Sequence, residues 1–349
     1  MANRILVTGS EGFIGRHIVN ELLRQGCGVL ATDIYEIDRG FCPYEYEKTD
    51  VTKPDTLVNL VKKADAIIHT AGLVRLDANA DALDKVNHLG TRNLLETIKQ
   101  NNPNIDMIVH LSSIGVYGKN CRAPIYEEDA KMPRNAYELS KYNAEKAVEE
   151  YKNILPIAML RPSFVYGIGC QHKDALPIFR MLQGKKIPMI KKGPRASHVH
   201  AEDVARAAVF LLKRKDLAGD AFNICDDAPI YLEDFAKAMA EPFGVEINPV
   251  IPYSPTAMKA LRWMLNRVPK EAIRKTNSRL RKKWDKYREE HNVKAGLFPC
   301  IDTAWLDYLA YEKVFSIEKL ESVGFALKHA SAKNGLRKMA EHYIENNYA

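Results

Sequence analysis

A chain of 349 residues, 46% hydrophobic and 27% charged, can form one large or two smaller domains and is too apolar to be disordered. No run of about 18 apolar residues appears, which excludes a hydropathic membrane span. An apolar segment begins at Arg4 and leaves no room for a signal peptide, so a cytoplasmic protein is expected. The six cysteines (Cys27, Cys42, Cys121, Cys170, Cys225 and Cys300) show no CxxC or metal-ligand spacing. They read as reduced packing thiols, with no metal site. The net charge of +7 is uneven: residues 257–294 hold thirteen Lys or Arg against four Asp or Glu, leaving the remainder near −2.

In chain order, Arg4–Thr8 reads as a buried strand that runs into a glycine loop. Phe13, Ile14, Ile18 and Leu22 have helical spacing, and Gly26 is placed to stop that helix. Val29–Ile34 is a second strand. Ala66–Thr70, Met107–Ser112 and Ile157–Arg161 follow, separated by a helix near Pro54–Lys62 and by a long helix carrying Tyr137. This alternation predicts an α/β fold, a Rossmann-type doubly wound parallel sheet covered on both faces. After Gly167 the rhythm breaks. Leu176–Leu182 and Glu202–Leu212 read as helices, Ala221–Cys225 as a last strand, and residues 228–349 as mainly helical, punctuated by Pro242, Pro249, Pro252, Pro255 and Pro269. The expected organisation is a dinucleotide-binding domain of residues 1–168 with 201–227. A smaller, mainly helical C-terminal substrate lobe, residues 169–200 with 228–349, is expected over the open end of the sheet.

The loop Thr8-Gly9-Ser-Glu-Gly12-Phe13-Ile14-Gly15 joins the first strand to the first helix. Small residues let the backbone turn sharply and approach a pyrophosphate, and the helix N-terminus adds N–H groups and partial positive charge. The spacing is GxxGxxG, with strand before and helix after. Asp33 ends the second strand, where a carboxylate can accept both ribose hydroxyls and repel a 2′-phosphate. Ile34, Tyr35 and Glu36 after it offer no arginine to reverse that preference. NAD is therefore the expected cofactor, ahead of NADP, with Ile34 among its neighbours.

Tyr137 and Lys141 lie four residues apart, on one face of a helix. A free tyrosine titrates near pH ~10 and is a poor base at neutral pH. A fixed positive charge beside it favours the phenolate and turns it into a usable proton acceptor or donor.

With these residues assembled, the chain resembles an extended short-chain dehydrogenase/reductase, the group that includes nucleotide-sugar epimerases and 3β-hydroxysteroid dehydrogenases. The resemblance covers residues 3 to about 225 closely and the C-terminal lobe loosely. It is carried by the glycine loop, Asp50-Val51, His69-Thr-Ala-Gly72, Asn87-x-x-Gly-Thr91, Leu111-Ser-Ser-Ile-Gly-Val-Tyr-Gly118, Tyr137-x-x-x-Lys141, Arg161-Pro-Ser-Phe-Val-Tyr-Gly167 and His200-Ala-Glu-Asp-Val-Ala205. The resemblance implies that Asp50 accepts from the adenine amino group and Val51 donates its N–H. It places Thr70, Ala71 and Gly72 along the adenosine and diphosphate path, and has Asn87 position elements around the cofactor. Ser113 would be the third catalytic residue with Tyr137 and Lys141, with Ser112 its competitor. Pro162 and Ser163 would approach the nicotinamide carboxamide, and Asp203 would be a cap or ion-pair partner. Ser113, Phe164 and Tyr166 are the candidates to face substrate. A homodimer is an expectation of the same kind. The C-terminal run Trp305–Phe325 loosely resembles the ending of steroid-dehydrogenase-like members.

Many sugar-nucleotide members carry an asparagine three positions after the arginine of the Arg-Pro motif, where its amide helps hold a diphosphate. This chain has Phe164. The reading is an NAD-dependent oxidoreductase, Tyr137 its general acid/base, moving hydride between NAD and a secondary alcohol or ketone of a fairly apolar small-molecule substrate. A 3β-hydroxysteroid, terpenoid or ketoacyl compound would fit. The alternatives are a nucleotide-sugar 4-epimerase or dehydratase using tightly bound NAD, and a non-catalytic NAD-sensing protein. A dehydratase needs a further acid and base pair near Ser113, which the loop does not offer. The basic segment 257–294 carries an apolar stripe of Met258, Leu261, Trp263, Met264, Leu265 and Val268. It reads as a lid, a peripheral foot on an anionic membrane or a packed surface hairpin. No aromatic stacking platform accompanies it, so nucleic acid is not an expected partner.

Overall fold

The computed structural model describes residues 4–37, 43–74, 79–120, 122–170, 175–265, 267–294, 297, 299–300 and 311–348. Its first half alternates β1 (Arg4–Thr8), α1 (Phe13–Arg24), β2 (Gly28–Asp33), β3 (Glu45–Lys48), α2 (Val58–Lys63), β4 (Ala66–His69), α3 (Ala80–Leu83), α4 (Gly90–Asn101), β5 (Ile108–Leu111), α5 (Ala136–Tyr151) and β6 (Ile157–Pro162). A π-helical stretch, Asp84–Leu89, joins α3 to α4. Then come β7 (Phe164–Tyr166), α6 (Ala175–Met181), β8 (Lys186–Ile190), β9 (Arg195–Ala196), β10 (His198–His200), α7 (Ala201–Leu212), β11 (Ala221–Ile224), β12 (Ile230–Tyr231), α8 (Leu232–Ala240), β13 (Glu246–Ile251), α9 (Pro255–Leu265), α10 (Lys270–Glu290), α11 (Glu318–Ser322) and α12 (Ala332–Glu345).

The chain forms two compact units: residues 1–165, 201–225 and 315–328, and residues 166–200, 226–314 and 329–349. The first holds a seven-stranded parallel sheet in the order β11-β6-β5-β4-β1-β2-β3. β4, β5 and β6 are buried along their whole length, because helices cover both faces of a parallel sheet. Leu60, Val61, Leu94, Ile98 and Val148 from α2, α4 and α5 pack on Leu6, Ile67, Ile108 and Ile157 to form one apolar layer. α1 and α7 pack together on other contacts with the strands. The order reverses between β1 and β4, the switch point where open α/β sheets bind ligands at their carboxyl ends.

Seven strands escaped the sequence reading (β3, β7, β8, β9, β10, β12 and β13), and two of them show why. Glu45-Tyr-Glu-Lys48 is charged because it is the sheet's edge, where charge protects unpaired backbone. β13 contains Pro249, which argues against a central strand, but it pairs only with β8 and its register is irregular just there. Residues 228–349 are thus less uniformly helical than expected. Phe315–Lys328 also joins the sheet unit and not the C-terminal lobe. The Phe315 ring lies 5.8 Å from Tyr117, the Ser316 N–H donates to the Ile125 carbonyl at 2.9 Å, and Phe325 meets Phe210 edge-on at 5.7 Å. Residues 301–310, including Trp305, lie outside the described residues.

In the second unit α8 packs against α12 and β13. Trp284 of α10 is fully buried and its indole N–H donates to the Leu297 carbonyl at 2.8 Å. Among the described residues no helix is long and apolar enough to cross a membrane.

Candidate active site

The glycine loop turns at the carboxyl end of β1. Gly9 has φ +72°, and a Cβ there would sit 2.6 Å from the Ala71 nitrogen; one on Gly15 would sit 2.0 Å from the Gly9 carbonyl oxygen. Neither position tolerates a side chain, so the loop is pressed between β4 and the first turn of α1. Gly12 caps α1 without a side-chain hydrogen bond, and no acidic residue stands in the first turn. The N–H groups of Phe13 and Ile14 thus lie in a first turn without a side-chain cap, the usual anion-binding arrangement. Ser10 is buried and its hydroxyl has no partner among the described residues. An orphaned donor beside a glycine cradle fits a dinucleotide pyrophosphate.

Asp33 lies across this loop. Its carboxylate accepts the Glu11 N–H at 3.0 Å and the Ile34 N–H at 2.7 Å, which fixes its direction, while the Ile34 side chain is exposed. Asp50 accepts the N–H of Thr52 at 2.9 Å and its hydroxyl at 2.8 Å. Burial opposes its ionisation, but these bonds hold the carboxyl below the usual range. Val51 beside it is buried against Gly90.

At the end of β4, the Thr70 hydroxyl donates to the carbonyls of Thr8 (2.8 Å) and Gly9 (3.2 Å), stitching this exit to the glycine loop. The Ala71 N–H points at the Thr8 hydroxyl at 3.4 Å. Gly72 passes so close to the interior that a Cβ would sit 3.2 Å from Asn87 Oδ1 and 3.3 Å from Lys141 Nζ. Buried Asn87 accepts the Leu73 N–H at 2.7 Å and donates to the Leu73 carbonyl at 3.0 Å and Ser140 Oγ at 2.9 Å. Asn87 therefore clamps the β4 exit to the residue before Lys141, as a positioning group. Its π-helical setting is a distortion often found at functional sites.

α5 starts where its sequence dictates. Asn135 accepts the Glu138 N–H at 2.9 Å, and Glu138 reaches back to the Arg134 N–H at 2.7 Å, a reciprocal cap that sets the first turn carrying Tyr137. The two serines then part company. Ser112 is buried and donates to Glu145 Oε1 at 2.6 Å. Ser113 accepts the Gly115 N–H at 3.0 Å, and a Cβ on Gly115 would sit 3.3 Å from its hydroxyl and 3.8 Å from the Tyr137 ring. Ser113 is the serine that faces the tyrosine.

Lys141 is buried and donates to the Leu111 carbonyl at 2.9 Å. Burial lowers its pKa to about 8, with Glu145 pulling the other way. Burial likewise raises the Tyr137 pKa; the Ser113 hydroxyl opposes that rise and Glu138 adds to it. This corrects the expectation that Lys141 lowers the phenol's pKa: burial sets its direction, upward.

Residues 5–225 match the NAD dependent epimerase/dehydratase family. The chain belongs to that family. It is an extended short-chain dehydrogenase/reductase, an enzyme whose cofactor is NAD, built on a Rossmann fold. It is 29% identical over 265 residues to a trifunctional UDP-glucose 4,6-dehydratase/UDP-4-keto-6-deoxy-D-glucose 3,5-epimerase/UDP-4-keto-L-rhamnose-reductase of Arabidopsis thaliana, covering 69% of this chain and 39% of that protein. The chain thus spans about two-fifths of the length of that plant relative. It is also 29% identical over 284 residues to human 3 beta-hydroxysteroid dehydrogenase type 7, covering 71% of this chain and 76% of that one. The fold matches the UDP-glucose 4-epimerase of Thermus thermophilus solved with NAD, with a TM-score of 0.68, 21% identity and coverage of 98% of this chain and 99% of that one.

Other residues of this family member only the structure brings together. Arg161 is buried and grips Glu145 through two bonds, Nε to Oε1 at 2.8 Å and Nη2 to Oε2 at 3.0 Å. Its Nη1 donates to the Tyr117 hydroxyl at 2.8 Å and the Glu127 carbonyl at 3.0 Å; Tyr117 donates on to Asn223 at 2.8 Å. Residues 117, 127, 145, 161 and 223 have no local spacing in common, so only the charge of Arg161 on an apolar strand hinted at them. Buried His69 lies between Thr8 (Nδ1, 2.7 Å) and Thr91 (Nε2, 3.0 Å), and burial lowers its pKa to about 3, so it stays neutral. The Thr91 hydroxyl donates to the Asn87 carbonyl at 2.6 Å, so Nε2 carries the proton and Nδ1 accepts from Thr8.

Pro162 and Ser163 are buried at the end of β6; the Ser163 N–H donates to the Ile224 carbonyl at 3.0 Å, and its hydroxyl has no partner among the described residues. Phe164 is half-buried in the same unit. Tyr166 belongs to the second unit, where its ring packs under Gly335 so tightly that a Cβ there would lie 2.4 Å away. The ring also meets His200 edge-on, with centroids 5.2 Å apart. Asp203 accepts from Arg206 Nη1 at 2.6 Å and from the Lys328 N–H at 2.8 Å, an ion-pair partner as read. Among the described residues no disulfide joins the cysteines, and the Cys225 thiol donates to the Phe315 carbonyl at 3.2 Å.

Proposed function

We propose that this enzyme transfers hydride between NAD and a secondary alcohol or ketone of a fairly apolar substrate, with Tyr137 as the proton donor and acceptor. The observation that carries the chemistry is the meeting of the Ser113 hydroxyl and the Tyr137 ring around Gly115, with Lys141 buried on the same helix. NAD supplies the hydride acceptor when bound. Tyr137 takes the proton from the substrate hydroxyl and returns it to the forming alkoxide in reverse, while Ser113 orients the reacting oxygen. Lys141, anchored on Leu111, supplies the charge that favours the phenolate during transfer.

Phe164 in the place of a diphosphate-binding amide supports an apolar substrate. The human steroid dehydrogenase, matched over three-quarters of its length, supports the same reading. The plant dehydratase relative and the epimerase neighbours favour a second reading, a nucleotide-sugar epimerase or dehydratase in which NAD is reduced and reoxidised in one turnover.

The thermal midpoint of the NAD-saturated enzyme separates the two, with UDP in one series and a 3β-hydroxysteroid in another. A rise with the steroid, followed by NADH formation from sterols or ketoacyl alcohols, is the expected result. A rise with UDP alone would overturn the apolar reading.

A further inference from the structure

We propose that α9 and α10 form a peripheral docking surface for a bilayer carrying anionic lipid. The inference rests on how the second unit distributes one apolar and one cationic element, and is independent of the substrate. α9 buries only Met258 fully; Trp263 and Met264 are 59% and 55% exposed. The apolar stripe read from the sequence is therefore only partly used for packing. Arg267 stacks on the Trp263 ring at 3.5 Å and donates to its carbonyl at 2.9 Å, so an indole and a guanidinium face solvent together. That pairing suits the bilayer interface, where an amphipathic ring sits at headgroup depth beside a cation.

α10 is divided differently. Ile273, Leu280 and Trp284 turn inward, while Lys275, Arg279, Lys282 and Lys286 follow one another at i, i+4, i+7 and i+11 on the exposed face. Among the described residues Lys275, Arg279 and Lys282 have no acidic partner, and Lys286 reaches Glu290 only at 3.7 Å. With the rest of the chain near −2, this stripe is a local concentration of charge. Charge complementarity calls for a polyanion; the exposed indole and thioether next to it in the chain call for an apolar phase. An anionic bilayer supplies both. With no spanning helix among the described residues, the contact is peripheral.

The test is flotation of the full NAD-loaded chain with phosphatidylcholine vesicles, with and without about 30 mol % phosphatidylserine, at low and high salt. Binding is expected only with phosphatidylserine, and is expected to be lost at high salt. Replacing Lys275, Arg279, Lys282 and Lys286 together by Gln should weaken it roughly several-hundred-fold. Trp263→Ala should weaken it about ten-fold. All these positions face solvent, so both variants should keep the parent's thermal midpoint and its NAD-induced rise; that control separates lost binding from lost folding. Absence of flotation, or flotation unchanged by salt and by both variants, overturns the proposal. Retention on heparin without vesicle binding also overturns it, and assigns the stripe to a soluble polyanion.

Discussion

Arg161 and Glu145 meet through two charge-assisted hydrogen bonds, 2.8 and 3.0 Å long, with both side chains out of water. Glu145 stands one helical turn beyond Lys141 and two beyond Tyr137, so the pair fixes how far α5 slides along β6. Lys131 adds a third contact at 3.3 Å, and Ser112 donates to the same carboxylate. A buried pair of this kind contributes little relative to an apolar replacement, but removing one partner strands the other. The network is better understood as positioning than as cohesion.

Glu145→Ala is therefore expected to cost about 3–5 kcal/mol, while the double change Glu145→Leu with Arg161→Leu should cost less than either single. The pH dependence has a definite sign. Burial alone would raise the Glu145 pKa, but Arg161, Lys131 and Ser112 bring it below the usual range. Its stabilising contribution is complete above the ordinary carboxylate range and is lost as pH falls through that lowered pKa. Thermal scans from pH 7 to pH 3 should show a steep acid loss in the parent and a flatter one in Glu145→Gln. Parallel curves would contradict this account.

The adjacent serines make a paired prediction. Ser113→Ala removes the hydroxyl that lies with Tyr137 around Gly115 and should lower kcat by about 10²–10³ with NAD binding intact. Ser112→Ala strips a buried donor from Glu145 and should cost about 1–2 kcal/mol of stability with a much smaller loss of kcat. Steady-state kinetics beside thermal midpoints distinguishes them, and an exchanged pattern would put the wrong serine in the site.

Asp33 accepts both the Glu11 and Ile34 N–H groups, so its carboxylate is aimed before any cofactor arrives. Asp33→Ser should narrow the preference for NAD over NADP, read as the ratio of the two kcat/KM values. The loss of two N–H acceptors should also lower stability by about 1 kcal/mol. An unchanged ratio would remove Asp33 from ribose recognition.

What could be read from the sequence was what is local. The glycine loop, Asp33 at a strand end and the Tyr137–Lys141 spacing each sit within one turn or one helix face, so residue order places them. The Arg161 network was not legible, because it joins five separate segments across the sheet. β3 and β13 were missed because charge and proline mask strands that run along edges. The direction of the Tyr137 pKa was missed for a third reason. Spacing brings a cation near a phenol, but only the fold decides how much water either keeps.

Lys141 offers the sharpest test of that last point. Its pKa falls from the free value of 10.5 to about 8 on folding, chiefly by burial. The unfolded chain therefore binds the proton more tightly between these values, and stability should rise as pH climbs from about 8 to about 10.5. Below pH 8 the buried ammonium is a burden of about 3 kcal/mol, offset in part by its bond to the Leu111 carbonyl, worth about 1 kcal/mol. Lys141→Met should thus abolish turnover yet stabilise the cofactor-free enzyme at pH 7 by about 1–2 kcal/mol. That advantage should shrink to nothing by about pH 10. Chemical denaturation of both proteins at pH 7, 8.5 and 10 measures the gap directly. A variant less stable at pH 7, or a gap that does not change with pH, would mean that Lys141 is not held as a desolvated cation. The opposite result, a stable but inactive variant, would show that this site keeps a destabilising charge because the proton transfer at Tyr137 requires it.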